Sequence, residues 1–526
     1  MPPIRLRAWF LVLLSAVLQI IIFPMAGPAP VWRESLSWIA MVPLLLGLLS
    51  DGRRIGPMRL RDFALLGYFC GFVWYLGSCY WVYDTMHLYG GLSSVAAFGI
   101  LVLFCLYLGL YHALFAFLLG VVRCYTPLRR SGALIAAPFL WVAVELARSR
   151  ITSFPWDVLG VTQVDNTMMT AMAPVGGAML LSFVVIVVNA QIASAWLFET
   201  QRMRLQALAI GGGLALVFIM GGALGFGAPA LEEGSETAVL LQPNLDVGAT
   251  AAPQAGASAL QDAMRLSLSQ RQVARRAITL WPESPAPITT DDPVLRQAWM
   301  LLASRTGAPV IAGALGREPA IGGSKVYNSA ALIDPESGYV GHYDKIHLVP
   351  FGEYVPFASV FSFADGLTRE VGNFDRGTAR TPFYSGGHSY GIFICYESIF
   401  GDEVRQLSLR GADVLVNLSN DGWYGDTSAP FQHIAMARMR AIENRRWLLR
   451  DTNTGITASI DPYGRILDRV PRHTQTAAVV RFDYLHDVTF YAKNGDLFGY
   501  LCAMVTAVLM VWAAVRYLQR ADADVK

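Results

Sequence analysis

Gly391-Ile392-Phe393-Ile394-Cys395-Tyr396-Glu397-Ser398-Ile399-Phe400 is the stretch that decides how the polar part of this chain folds. Mostly apolar residues run up to a cysteine and stop at a carboxylate, and Ser398 then opens a segment compatible with a helix. The pattern predicts a buried strand that delivers a thiol at a strand-to-helix turn. A thiol is a poor nucleophile until a neighbour takes its proton. Free cysteine is also among the most buried residue types, so packing alone would explain Cys395 in an apolar strand. A chemical role needs a base and a charge-stabilising partner elsewhere in the sequence.

Outward from that stretch the composition changes sharply. Hydrophobic residues make up 54% of the 526, charged residues 15%, and the mean hydropathy is +0.41, which predicts a largely membrane-embedded chain. A formal net charge of +2, with no basic stripe interleaved with aromatics, excludes a nucleic-acid binder. Five of the six cysteines lie in or beside apolar runs, leaving Cys395 alone in the polar part without metal spacing or a disulfide framework.

Apolar runs near 6–25, 32–50, 62–83, 92–122, 133–148, 171–198, 206–227 and 497–517 approach the roughly 20 residues that cross a bilayer. Eight spans are expected, seven before a polar block and one after it. Arginines at 5 and 7, at 53, 54, 59 and 61, at 123, 129 and 130, at 202 and 204, and at 516 and 520 all fall on one side of such an arrangement. The positive-inside rule makes that side the cytoplasm, with both termini there and the polar block on the opposite face. Arg148 and Arg150 are exceptions; they fall in an outer loop with Ser153-Phe154-Pro155-Trp156 and read as solvated or as touching lipid headgroups. His112, inside a span, reads as a satisfied packing residue. The expected division is a membrane domain at 1–227, an outer domain at 228–494, and a last span with its tail at 495–526.

The outer block alternates strands and helices. Strands are expected at 237–242, 277–281, 309–314 and 413–418, helices at 258–276, 294–305, 399–410 and 430–448, and hairpins across Asp334-Pro335-Glu336-Ser337-Gly338 and Asp461-Pro462-Tyr463-Gly464. This implies a layered α/β domain large enough for its own core. Gly248–Gly256 and Val355–Gly372 read as arms, the second carrying Phe357, Val360, Phe361 and Phe363.

Two strand ends offer partners for Cys395. Leu280-Trp281-Pro282-Glu283-Ser284 sets a carboxylate just beyond an apolar run, and Tyr343-Asp344-Lys345-Ile346-His347-Leu348-Val349-Pro350-Phe351-Gly352-Glu353-Tyr354 supplies a lysine. Glu, Lys and Cys at one sheet edge form a coherent device. The carboxylate takes the thiol proton, and the ammonium lowers the thiol pKa and stabilises a tetrahedral oxyanion.

This combination resembles the nitrilase superfamily, with its Glu-Lys-Cys triad on an αββα sandwich. Together with Ile394-Cys395-Tyr396-Glu397 and Asn417-Leu418-Ser419-Asn420-Asp421-Gly422-Trp423-Tyr424-Gly425, it is similar to the apolipoprotein N-acyltransferase family, the membrane-embedded branch found in the bacterial inner membrane. The resemblance covers essentially the whole chain: a polytopic α-helical membrane protein of eight spans with an inserted nitrilase-like α/β domain on the periplasmic side. It implies Cys395 as nucleophile, Glu283 as general base and Lys345 as oxyanion stabiliser. Glu353 would hold the lysine, Tyr396 and Glu397 would support the thiol, and Trp423, Tyr424, Phe357 and Phe361 would contact substrate. Unlike many members, this chain has an Ala/Gly-rich stretch without tryptophan after Gln242-Pro243-Asn244.

The implied reaction moves the sn-1 acyl chain of a phospholipid, typically phosphatidylethanolamine, through a cysteine thioester to the α-amine of a diacylglyceryl-apolipoprotein. No cofactor or metal is expected, because the thioester conserves the ester's acyl-transfer potential. A membrane-tethered amidase is the alternative, distinguished by hydrolysis of the thioester. A transporter ranks last, because the spans carry little charge beyond Glu145 and Arg148.

Overall fold

The computed structural model describes residues 6–25, 31–50, 58–198, 200–231, 233–247, 253–270, 276–284, 288–320, 323–354 and 374–525. These form two compact units. The first is built from residues 1–80, 98–229 and 494–526, and the second from 81–97 and 230–493.

The first unit is helical. Among the described residues five helices are long and apolar enough to cross a membrane: Ser94–Tyr125, Arg130–Thr152, Ala173–Leu197, Gln201–Ala223 and Leu497–Arg520. A sixth is added if Leu60–Ser78 and its bent continuation Trp81–Tyr89 count as one. The first apolar run forms a shorter helix, Leu6–Ile22, and the second is broken into Val31–Leu36 and Val42–Leu49. The break survives because side chains serve its backbone. Asn189 Oδ1 accepts from Met41 N at 2.9 Å and its Nδ2 donates to Ser37 O at 2.8 Å, while Ser15 Oγ donates to Ala40 O at 2.6 Å. Without water, such partners are what allow irregular backbone inside an apolar bundle.

Small residues bring helices together. A Cβ at Gly67 would lie 2.4 Å from His112 O, so glycine is required where Leu60–Ser78 crosses Ser94–Tyr125. His112 is a packing residue as expected: its Nε2 is 3.2 Å from Gln19 Oε1, among the rings of Trp74, Tyr75 and Trp141. Arg148 is not solvated. It is buried, and its Nη1 donates to Tyr75 OH at 2.9 Å and Trp156 O at 2.8 Å. Its neighbour Arg150 pairs with Asp496 at 2.7 Å. Hydrophobic burial of the flanking Phe154 and Trp156 draws the guanidinium inward, where it must find acceptors.

The second unit stacks two six-stranded sheets. Their strands are β1 (Glu236–Gln242), β2 (Ile278–Trp281), β3 (Val310–Ala320), β4 (Gly323–Asp334), β5 (Gly338–Asp344), β6 (Phe383–Ser385), β7 (His388–Ile394), β8 (Val414–Ser419), β9 (Leu448–Thr452), β10 (Ala458–Ile460), β11 (Ile466–Arg469) and β12 (Thr476–Phe482). The orders are β12-β1-β2-β3-β4-β5 and β11-β10-β9-β8-β7-β6. β1-β2-β3 and β7-β8-β9 run parallel at the centre of each sheet, with antiparallel strands outside. Parallel strands need cover on both faces. One face of each sheet meets the other through Leu240, Leu280, Ile311, Ile392, Val416 and Leu449. The outer faces are covered by Pro253–Ser269 and Pro293–Thr306 on the first sheet and by Gly401–Leu409 and Ala429–Asn444 on the second. The layers are therefore αββα.

Local differences from the sequence reading have physical causes. The helix expected over 430–448 ends at Asn444, where Arg445 turns left-handed at φ 49°, and Leu448 begins β9. The Trp447-Leu448-Leu449 run continues the helical periodicity by chance but leads into a strand, with Trp447 and Leu449 buried between the sheets and Leu448 turned to the helices outside. The helix expected over 258–276 instead spans Pro253–Ser269.

Candidate active site

The site lies just beyond the carboxyl ends of the central parallel strands, where α/β sheets characteristically place chemistry. Glu283 follows β2, Cys395 follows β7, Asn420 and Asp421 follow β8, and Lys345 follows the antiparallel β5. Gly313 on β3 lets the Glu283 loop pass, since a Cβ there would lie 2.1 Å from Pro282 O.

Lys345 and two carboxylates form a buried cluster. Lys345 Nζ is 2.9 Å from Glu353 Oε1 and 3.3 Å from Glu283 Oε1. Asn328 Nδ2 donates to both of these oxygens at 2.7 Å. The remaining carboxylate oxygens accept backbone donors: Glu283 Oε2 from Asn420 N at 2.7 Å, and Glu353 Oε2 from Val349 N at 2.8 Å. Burial opposes the Lys345 charge, but Glu353 and Glu283 outweigh it and hold the ammonium well above its ordinary pKa.

Cys395 opens a 3₁₀ turn, Cys395–Ile399, with a left-handed backbone at φ 48°. Few non-glycine residues adopt that conformation, and it projects the side chain at the strand-to-helix junction. Burial and then the Glu283 carboxylate push the thiol up, while Lys345 and a hydrogen bond to Ser419 pull it down; the net direction is upward. The surroundings of the sulfur therefore favour its protonated form.

Glu397 joins the two halves of the site. Its Oε1 accepts from Tyr343 OH at 2.8 Å, Ile346 N at 2.7 Å and His347 N at 3.1 Å, and its Oε2 accepts from Ile394 N at 2.7 Å. One carboxylate thereby ties the Lys345 segment to the end of the Cys395 strand. Tyr396 is buried with its ring edge-on to Phe400 at 5.3 Å.

Trp423 and Tyr424 sit on a turn, Asp421–Tyr424, beside a segment that sequence had placed at a span end. Tyr89 meets the Trp423 ring at 6.0 Å, Trp81 meets Tyr424 at 5.3 Å, and Thr85 Oγ1 donates to Trp423 O at 3.2 Å. Trp423 is half-buried and Tyr424 buried. Phe357 and Phe361 lie outside the described residues.

Sequence reasoning missed Asn328, His433 and Arg450. Asn328 could have been found as a polar side chain on the first arm of the hairpin expected across Asp334-Pro335-Glu336-Ser337-Gly338; His433 sits inside the helix expected over 430–448, and Arg450 lies just past it, on β9. Among the described residues Glu318, His342 and Asp344 bring metal-capable atoms within 4.8 Å of one another, with Glu318 exposed.

Residues 276–486 match the carbon-nitrogen hydrolase family model, and residues 8–191 match the apolipoprotein N-acyltransferase N-terminal domain. Over 96% of its length the chain is 33% identical to the apolipoprotein N-acyltransferase of Geobacter metallireducens, covering 95% of that protein. The chain belongs to the apolipoprotein N-acyltransferase family. The member from Pseudomonas syringae pv. tomato is 31% identical over 93% of both chains, and that from Ralstonia nicotianae 32% identical over 92% of this chain and 90% of the relative. The two family models match separate parts of the sequence, one within the apolar N-terminal part and one over the αββα sandwich.

Proposed function

We propose that this protein is an apolipoprotein N-acyltransferase working through a Cys395 thioester, with phosphatidylethanolamine as donor and a diacylglyceryl-apolipoprotein as acceptor. The observation that carries the reading is the buried Glu283-Lys345-Glu353-Asn328 cluster at the strand ends that also present Cys395, in a chain of this family with several membrane-length helices.

Glu283 takes the thiol proton as sulfur attacks the sn-1 ester carbonyl. The Lys345 ammonium stabilises the tetrahedral oxyanion. Collapse breaks the ester C–O bond, and the proton passes from Glu283 to the departing lysophospholipid oxygen. The acceptor amine then attacks the thioester and yields its proton to Glu283, and the expelled sulfur regains it. Glu353 holds the lysine, Tyr396 and Glu397 support the nucleophile's turn, and Trp423 and Tyr424 contact substrate.

The membrane arrangement belongs to the same reading. Eight spans, including the short first helix and the broken second run, place 1–227 in the bacterial inner membrane, 228–494 in the periplasm and 495–526 as the last span and tail. Both termini are cytoplasmic. Lipid donor and lipid-anchored acceptor then approach the thiol from the outer leaflet.

Intact-protein mass spectrometry after exposure to phosphatidylethanolamine vesicles tests the proposal. A hydroxylamine-sensitive acyl adduct is expected on the wild type and not on Cys395→Ala. Adding a diacylglyceryl lipopeptide discharges it to N-acylated product. An adduct on Cys395→Ala, or free fatty acid as the main product, overturns the assignment, the latter in favour of an amidase-like hydrolase.

A further inference from the structure

Beneath the nucleophile lies a polar network that the mechanism above leaves unused. His433, on the helix Ala429–Asn444, is fully buried. Its Nε2 is 3.0 Å from Cys395 O, and its Nδ1 is 2.9 Å from Asp421 Oδ1 and 3.0 Å from Arg450 Nη2. Asp421 also accepts from Ser419 Oγ at 2.8 Å and from Arg450 Nη2 at 2.8 and 3.0 Å. Arg450 Nη1 in turn donates to Asn417 Oδ1. Asp421 and Arg450 are fully buried as well.

The chemistry of these partners fixes a proton. A carbonyl oxygen only accepts, so the short contact to Cys395 O requires a hydrogen on Nε2, whatever Nδ1 carries. Cys395 is also the residue held at φ 48°, a conformation that persists only where its surroundings enforce it. The peptide that follows is trans, so its N–H lies on the edge opposite the carbonyl. Holding the oxygen on His433 therefore sets the direction of the Tyr396 N–H beside the sulfur. A backbone N–H fixed beside a nucleophile is the kind of donor that stabilises a developing oxyanion.

We propose that His433 is a positioning residue for acyl transfer: its Nε2–H grips the Cys395 carbonyl, locks the left-handed turn, and thereby aims the Tyr396 N–H at the tetrahedral oxyanion. Asp421 and Arg450 orient the imidazole from behind. The proposal rests on Cys395 being the acyl-accepting nucleophile.

Side-chain length supplies the test. The amide of His433→Gln reaches the position of Nε2 and restores a donor to Cys395 O, whereas His433→Asn reaches only the position of Nδ1. Full-length protein in detergent is mixed with phosphatidylethanolamine, and single-turnover formation of the hydroxylamine-sensitive adduct is followed by mass spectrometry. Alkylation of Cys395 by iodoacetamide, a reaction without an oxyanion, is followed in parallel. His433→Asn should slow acylation about 100-fold, and His433→Gln should recover most of that loss. Alkylation should stay within a few-fold of wild type in both, as should the phospholipid concentration at half-maximal rate. Wild-type acylation by His433→Asn overturns the proposal, as does equal loss in the Asn and Gln variants or alkylation falling in step with acylation. A wild type that forms no adduct overturns this proposal and the assigned function together.

Discussion

Lys345 Nζ lies closer to Glu353 than to Glu283, at 2.9 Å against 3.3 Å. The nearer carboxylate follows the lysine in sequence, and the more distant one comes from another strand end. Such an arrangement separates the two acids by task. In the proposed mechanism Glu353 compensates the ammonium and Glu283 carries the proton.

Glu283→Gln should therefore reduce acyl-enzyme formation by about 10³-fold, within the range for loss of a general base. Glu353→Gln leaves the base in place but loosens the lysine, and should cost about 10²-fold, as misplacement of an aligned group does. Single-turnover acylation measured on both variants checks the order. Equal losses would show that the two carboxylates do not divide the work.

Glu397 is a staple, and its loss should register in stability before chemistry. Tyr343→Phe removes a hydrogen bond to a buried carboxylate and should cost about 1.5–3 kcal/mol. Glu397→Ala strands the N–H groups of Ile346, His347 and Ile394 at about 1–3 kcal/mol each. Thermal unfolding of the solubilised protein should show a lowered transition for the first and no folded sandwich for the second.

Asp421 and Arg450 are a buried pair, and removing either partner alone is costly. Arg450→Met leaves the carboxylate uncompensated and should cost about 3–5 kcal/mol; adding Asp421→Asn should return part of it. Burial works against the Asp421 charge, and Arg450 with His433 outweighs it, holding the carboxyl below its ordinary pKa. A depressed carboxylate stabilises the fold above the unfolded value of about 3.9, and that contribution is lost as pH falls below it. Denaturant titrations from pH 3 to 7 would show Asp421→Asn without this acid-side decline.

Asp451 behaves in the opposite sense. It is fully buried on β9, and burial outweighs backbone hydrogen bonds at Leu241 and Thr452 to push its pKa well up. The folded state then keeps a proton that the unfolded chain releases above about pH 3.9, so stability falls as pH rises through that window. Relative to wild type, Asp451→Asn should remove a slope of up to about 1.4 kcal/mol per pH unit. Unfolding transitions compared at pH 5 and pH 7.5 measure it; a constant difference between the two proteins would exclude a buried neutral acid.

Much of the site could be read directly because its members stand at strand ends, where local signals are strong. Trp281-Pro282-Glu283 stops an apolar run, and Ile394-Cys395-Tyr396-Glu397 does the same. Glu397 was legible as the carboxylate two residues beyond Cys395, but its reach back to Ile346 and His347 has no sequence signature. Asn328, His433 and Arg450 were overlooked because each is a single polar residue inside a regular element. Nothing local distinguishes a polar side chain turned toward solvent from one turned into a site. Likewise the helix expected over 430–448 was carried on to Leu448, past its end at Asn444, because apolar periodicity in a short run does not separate the start of a buried strand from a helix end.

The sequence by itself determined the two-part character of the chain, the α/β layering of the polar part, and the residue types at three strand ends, because hydropathy and period are local properties. Only the tertiary structure decided which carboxylate holds Lys345, that Arg148 is buried, that residues 81–97 join the catalytic unit, and that Cys395 is held left-handed above an imidazole. Those outcomes depend on which distant groups are brought within hydrogen-bonding distance, and short-range patterning carries no record of that. Cys395 is legible as a thiol at a turn, and the nucleophile's role proposed for it depends on Glu283, Lys345 and His433, which three other segments of the fold bring around it.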